Sequence, residues 1–97
     1  MYLTIRHYRV PPSKMAEVVR RVDDVWLDRL SKLEGFETYF VIQEDESHLT
    51  SVSGFLDEKS GRKAAEASAE WVGSNLADLD VEFLEMSQGP VVVHGGD

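Results

Sequence analysis

Few residues of this chain have the chemistry to act on a small molecule, and their spacing narrows what they can do. There are three histidines, His7, His48 and His94, and no cysteine. Without cysteine there are no disulfides, no thiolate nucleophile and no sulfur-ligated metal. None of the histidines has the close helical spacing of a metal motif. A fold that brought their segments to one sheet end would set His7 and His48 beside Glu44, Asp45 and Glu46, a two-histidine, one-carboxylate arrangement. The alternative is that these are solvated loop-end residues, and no metal is expected. Arg6 shares a strand face with Tyr8 and has no obvious charge partner. It suits either an anionic or phenolate ligand or an ion pair between subunits. Trp71 and Asn75 stand one helical turn apart. With Tyr39 they would make an apolar wall carrying a few convergent polar groups, the usual character of a small-ligand pocket. The competing use of Trp26 and Trp71 is as large core residues. No glycine-rich phosphate loop, G-x-S-x-G elbow or paired-carboxylate signature is present.

The elements that must position these residues repeat one pattern twice. Leu3 and Ile5 alternate with Tyr2, Thr4, Arg6 and Tyr8 in a strand pattern over 2–10, which Pro11-Pro12 ends. Met15, Val18, Val19, Val22, Trp26, Leu30 and Leu33 then recur at three- and four-residue steps, an amphipathic helix over 14–33. Glu17–Arg21 and Asp28–Lys32 pair on its outer face, and Gly35 reads as its stop. Strand patterns over 36–43 and 48–56 flank the acidic loop 44–47 as a hairpin. Asp57 or Ser60 caps a second helix over 60–77, whose stripe carries Ala64, Ala65, Ser68, Trp71, Val72, Asn75, Leu76 and Leu79. A last strand covers 81–86. Gln88-Gly89-Pro90 reads as a turn, followed by a short strand or arm over 91–94. The order β-α-β-β-α-β predicts an α+β ferredoxin-like fold, an antiparallel sheet with two helices on one face.

Composition excludes some partners. The 97 residues are expected to form one domain over 1–97. Ten Lys and Arg against 18 Asp and Glu give a formal charge of −8, the wrong sign for nucleic acid or an anionic membrane surface. The chain opens on a strand pattern rather than a leader, and with no cysteine a cytoplasmic location is the expectation. Both strand parities carry apolar residues: Phe36, Phe40 and Ile42 on one side of the second strand, Tyr39 and Val41 on the other. Two helices cover one face only, so a second copy of the chain is expected on the other.

The element order, Gly35-Phe36-x-x-Tyr39, the strand Ser51-Val52-Ser53-Gly54-Phe55 and the alanine-rich turns before Trp71 resemble the antibiotic biosynthesis monooxygenase-like group of dimeric α/β barrels. The resemblance implies a homodimer with sheets packed face to face and a small-molecule cleft between sheet and helices. It also implies either cofactor-free oxygenation of a phenolic or polyketide-like substrate or a non-enzymatic dimeric ligand-binding or stress-response role. Haem-degrading members use an Asn on the first strand and a His some ten residues after a Trp near the second helix. Here 2–10 holds no Asn, and residue 81 is Val. No metal, flavin or haem is expected. For such oxygenation His7 is the candidate base and Arg6 the candidate anion partner, with Trp71, Asn75 and Tyr39 binding a small aromatic molecule.

Overall fold

The two helical segments and four strands fall in the expected order in a computed structural model that describes residues 1–96. Strands β1 (Tyr2–Arg9), β2 (Phe36–Asp45), β3 (His48–Phe55) and β4 (Glu82–Pro90) form one antiparallel sheet in the order β2-β3-β1-β4. Burial alternates along β1: Tyr2, Thr4, Arg6 and Tyr8 are buried, while Leu3, Ile5 and His7 are partly exposed. The buried parity lies under the helices. Its β3 partners are Phe55, Ser53, Ser51 and Leu49, in register.

The first helical segment runs without a break as α1 (Met15–Arg21), a π-helical turn (Val22–Trp26) and α2 (Leu27–Ser31). Its apolar stripe explains the π turn. Val18, Val22, Trp26 and Leu30 follow at three successive steps of four, and at 3.6 residues per turn each step overshoots the stripe by about 40°. The wider turn absorbs the excess, so that Val18, Trp26 and Leu30 are all buried. Gly35 follows at φ 83°, where a side chain would be strained.

The second helix, α3 (Glu58–Asn75), starts at a capping box in which the Asp57 carboxylate accepts from the Ser60 backbone N–H at 2.9 Å. Gly61 faces the sheet, and a Cβ there would come within 2.6 Å of Tyr2 Cδ1. That absence sets how closely α3 approaches β1. Gly73 stays within the helix, as its stripe implies. The expected turn at Gln88-Gly89-Pro90 is corrected: these residues continue β4, opposite Thr4, Leu3 and Tyr2. β4 is an edge strand, where a proline is tolerated at the last position. The segment 91–94 is neither strand nor helix, and Val92 and Val93 are exposed.

Arg21, held by Glu17, ties the helices together. Glu17 accepts from Arg20 at 2.6 Å and from Arg21 at 2.7 Å, while Arg21 also reaches Asp78 at 2.8 Å just beyond α3. Hydrogen bonds from Arg20 and then Arg21 pull the Glu17 carboxyl from its ordinary 4.5 to about 2. A depressed carboxyl stabilises the fold above its unfolded pKa and loses that contribution as pH falls through the folded one. At low ionic strength, stability measured by urea unfolding should therefore drop between pH 4.5 and about 2, and Glu17→Gln should flatten that drop. Equal slopes in the two proteins would remove Glu17 from the acid response.

Candidate functional site

Two indoles organise the space between helices and sheet. Trp26, at the end of the π turn, stacks on Trp71 of α3 with ring centroids 5.4 Å apart and planes at 27°. Both are buried. On their sheet side lies a cavity of about 30 Å³, walled by apolar side chains together with Tyr8, Tyr39, Ser51 and Ser68. Outside them a groove of about 370 Å³ runs between the helices, bordered by Arg29, Ala67, Glu70, Ser74 and Asn75. Trp26 and Trp71 line both spaces and form the partition. The inner cavity has room for a water or two, whereas a benzene ring occupies a cavity of roughly 150 Å³. An aromatic ligand must displace wall side chains to enter.

The polar groups of this wall are unevenly satisfied. Trp71 Nε1 is buried with no hydrogen-bond partner, the single such side-chain atom among the described residues. An unpaired buried donor costs about 1–3 kcal/mol. Burial raises the Tyr39 phenol well above its ordinary range, Tyr8 adds to this, and hydrogen bonding with Ser51 and Trp26 works against it. Tyr39 is thus a donor at neutral pH and not a base. Arg6, 9 % exposed, donates from Nε to Tyr8 Oη at 2.6 Å. Its guanidinium lies 4.5 Å from the Phe83 ring centroid, a cation–π geometry.

The structure joins some of the sequence-derived candidates and separates others. Trp71 and Tyr39 meet at the inner cavity. Asn75 borders the outer groove, and its amide donates to the Trp71 carbonyl at 3.0 Å, one turn back in α3. Arg6 and His7 project from opposite faces of β1, since side chains alternate along a strand, and so do not share a site. His7 lies on the open face, 2.9 Å from Thr50 Oγ1 and 3.9 Å from Glu44 Oε1, while Thr50 bonds Glu44 in turn. His48 pairs with Asp45 at 2.8 Å. The two histidines reach the same sheet end, but among the described residues no three His, Asp or Glu side chains cluster as metal ligands. Arg6 belongs to the buried parity of β1, with Thr4 and Tyr8, and points away from the open face. Tyr8, Ser51 and Ser68 were not singled out as wall residues. Their signal was a parity shared with Arg6 and Leu49 on the strands and with Trp71 on the helix stripe.

No protein-family model matches the chain, and neither does the sequence of any curated protein. Solved structures do match its fold. A structure from Deinococcus radiodurans, described as a candidate antibiotic biosynthesis monooxygenase, is 12% identical with a TM-score of 0.77, covering 99% of this chain and 100% of that one. A dimeric ferredoxin-like protein from an uncultured marine organism is 18% identical with a TM-score of 0.73 and full coverage of both chains, 100% each. SnoaB of Streptomyces nogalater, a cofactor-independent oxygenase, is 13% identical with a TM-score of 0.69, covering 96% and 94%. The chain therefore has the ferredoxin-like fold of the monooxygenase-like α/β proteins. At these identities it is the fold that is shared. No helix of the described residues is long and apolar enough to cross a membrane.

The orphaned indole separates a binding role for Trp71 from a packing role. Trp71→Phe keeps a ring on the Trp26 stack and removes the unpaired N–H, so stability should change by less than about 1 kcal/mol. Trp71→Ala should cost about 3–5 kcal/mol. Thermal and urea unfolding measure both; a large loss in Trp71→Phe would show that the N–H itself supports the fold.

Proposed function

We propose that this chain is a homodimeric small-molecule-binding protein that oxygenates a phenolic, polyketide-like substrate without a metal or organic cofactor. The observation that carries the reading is the buried, unpartnered N–H of Trp71, a residue that lines a mostly apolar cavity. Such a donor matches a ligand that brings an oxygen acceptor into an apolar enclosure. The shared fold of SnoaB, itself a cofactor-independent oxygenase, supports the reaction class. In this chemistry the substrate supplies the electrons. Oxidising an activated ring methylene to a ketone inserts one atom of O₂ and releases the other as water with the two methylene hydrogens, so no external reductant is needed. The protein's part is to enclose the substrate and hold donors where negative charge develops. His7 lies across the sheet from this space and serves the dimer face instead. Asn75 holds the Trp71 turn from the outer groove.

The dimer would form through the open sheet face. Phe40 and Ile42 are 59% and 52% exposed there, beside partly buried Leu3, Ile5 and Val52. These residues fall on one face by the β1–β3 and β2–β3 registers. A contiguous apolar patch of this kind marks an interface, and the dimeric ferredoxin-like structure of similar fold supports the assignment.

Sedimentation at micromolar concentration should give twice the chain mass, and Phe40→Asp with Ile42→Asp should give monomer. A wild-type monomer would overturn the proposed assembly. For activity, 1,8-dihydroxyanthrone in an oxygen electrode supplies a polycyclic phenol with an activated methylene. Chelator-treated protein should consume O₂ above the spontaneous rate, and Trp71→Phe should lower that rate at least about tenfold. Binding without O₂ uptake would leave the non-enzymatic ligand-binding role.

A further inference from the structure

The interior between helices and sheet carries one positive charge, at Arg6, and one unpaired donor, at Trp71 Nε1, and no acid borders its cavities. We propose that the cleft takes its aromatic ligand as an oxygen anion, already ionised on entry, with the Arg6 guanidinium as the partner of the charged oxygen. This rests on the reading of the cleft as a site for aromatic molecules.

Three observations converge. Arg6 is about nine-tenths buried, with 9 % exposure, and among the described residues makes no ion pair, whereas the Arg9, Arg20, Arg21 and Arg62 side chains each reach a carboxylate. Its oxygen partner is the Tyr8 hydroxyl, at 2.6 Å from Nε. Its Nη1 meets only the thioether of Met86, at 3.6 Å, a weak acceptor. The Phe83 ring lies over the flat face of the guanidinium and takes up none of its in-plane N–H groups, of which Nε is held by Tyr8. A buried cation is ordinarily balanced by an anion or by a full set of hydrogen bonds, and Arg6 has neither.

Independently, the Trp71 N–H is a buried donor without an acceptor. Third, the wall holds no acid. The inner cavity is lined by Tyr8, Tyr39, Ser51 and Ser68 among apolar residues, and the small void beside Arg6 by Thr4, Ser53, Ala64 and Ala65. The chain carries 18 Asp and Glu, yet none borders either space.

The same census shows why ionisation must precede entry. The titratable groups facing Arg6 are Tyr8 on its own strand and Tyr39 on β2. β3 contributes Ser51 and Ser53, β4 contributes Phe83 and Met86, and α3 contributes Ala64, Ala65 and Ser68. Burial keeps the Tyr39 phenol protonated, and Tyr8 already accepts from Arg6. No imidazole or carboxylate is present to take a proton from a neutral phenol. Carboxylates and phenolates share the required chemistry.

Calorimetric titration of the wild-type protein with 2-naphthoate and with 2-naphthylmethanol, its uncharged analogue, tests the inference. The naphthoate should bind at least about tenfold more tightly. Arg6→Met, which keeps the length and removes the charge, should bring the ratio near one by weakening naphthoate far more than naphthylmethanol. Titrating 2-naphthol across the ionisation of its own hydroxyl tests the phenolate: its affinity should rise with the ionised fraction while that of naphthoate stays level. Equal wild-type affinities for naphthoate and naphthylmethanol would overturn the anion inference alone. If neither naphthalene binds, the aromatic-site reading falls and the inference with it. The wild-type comparison holds even if Arg6→Met fails to fold.

Discussion

The stacking of Trp26 on Trp71 is the contact on which the helix side of the molecule depends. It links two helical segments that the sequence connects only through the β2–β3 hairpin, and it divides the inner cavity from the outer groove. Reaching it required a deviation from regular helix. The π turn over Val22–Trp26 keeps Trp26 on a stripe that steps by four, and such turns recur at functional positions. On the other side, α3 is brought down onto β1 where Gly61 meets Tyr2. Further along α3, Ser68 and Trp71 border the small inner cavity. A close approach at one end and a large aromatic at the other leave a gap between them, and that gap is the cleft.

Electrostatics divide the molecule in the same way. On the surface, opposite charges neutralise one another in short-range pairs and networks, as at Glu17 with Arg20 and Arg21 or Lys14 with Asp80. Exposed pairs of this kind contribute little individually. The interior is different: one guanidinium and one indole N–H face a wall of hydroxyls and apolar groups. Buried polar groups are rarely left unmatched in native proteins, so the orphan Trp71 N–H on the inner cavity and the unpaired Arg6 charge on the small void beside it support the proposed site, completed by an acceptor.

Much of the fold was legible in the sequence because it rests on period. The step between period two and period 3.6 located the strands and helices, and Gly35, Asp57 and Ser60 marked ends through local geometry. β4 ran longer than the pattern implied, since Gln88-Gly89-Pro90 has turn composition while the edge position tolerates proline and ladder pairing with β1 decides its state. The site was less legible. With apolar residues on both parities of the sheet, sequence could not say which parity of β1 lies under the helices. Leu3 and Ile5 look like core, yet Tyr2, Thr4, Arg6 and Tyr8 are the buried set. That inversion put His7 and Arg6 on opposite faces. Asn75 and Tyr39 both neighbour Trp71, but spacing along a helix cannot tell which side of an indole each one reaches.

A single irregularity in the sheet completes the surroundings of Arg6. The β1–β4 register runs from Arg6 opposite Met86 and His7 opposite Glu85, then shifts so that Tyr8 faces Phe83. In an unbroken ladder Tyr8 would face Leu84, and Phe83 would turn to the other side of the sheet. The bulge re-aims a side chain, as bulges beside functional sites do. Phe83 arrives edge-on to Tyr8, with centroids 5.9 Å apart, and under the Arg6 guanidinium at 4.5 Å. An aliphatic side chain there would exclude water from the guanidinium without any favourable interaction with its charge. An aromatic ring excludes water and offers its negative face. Arg6 is then buried without an acid beside it, its Nε held by Tyr8 and its Nη1 meeting only the Met86 thioether.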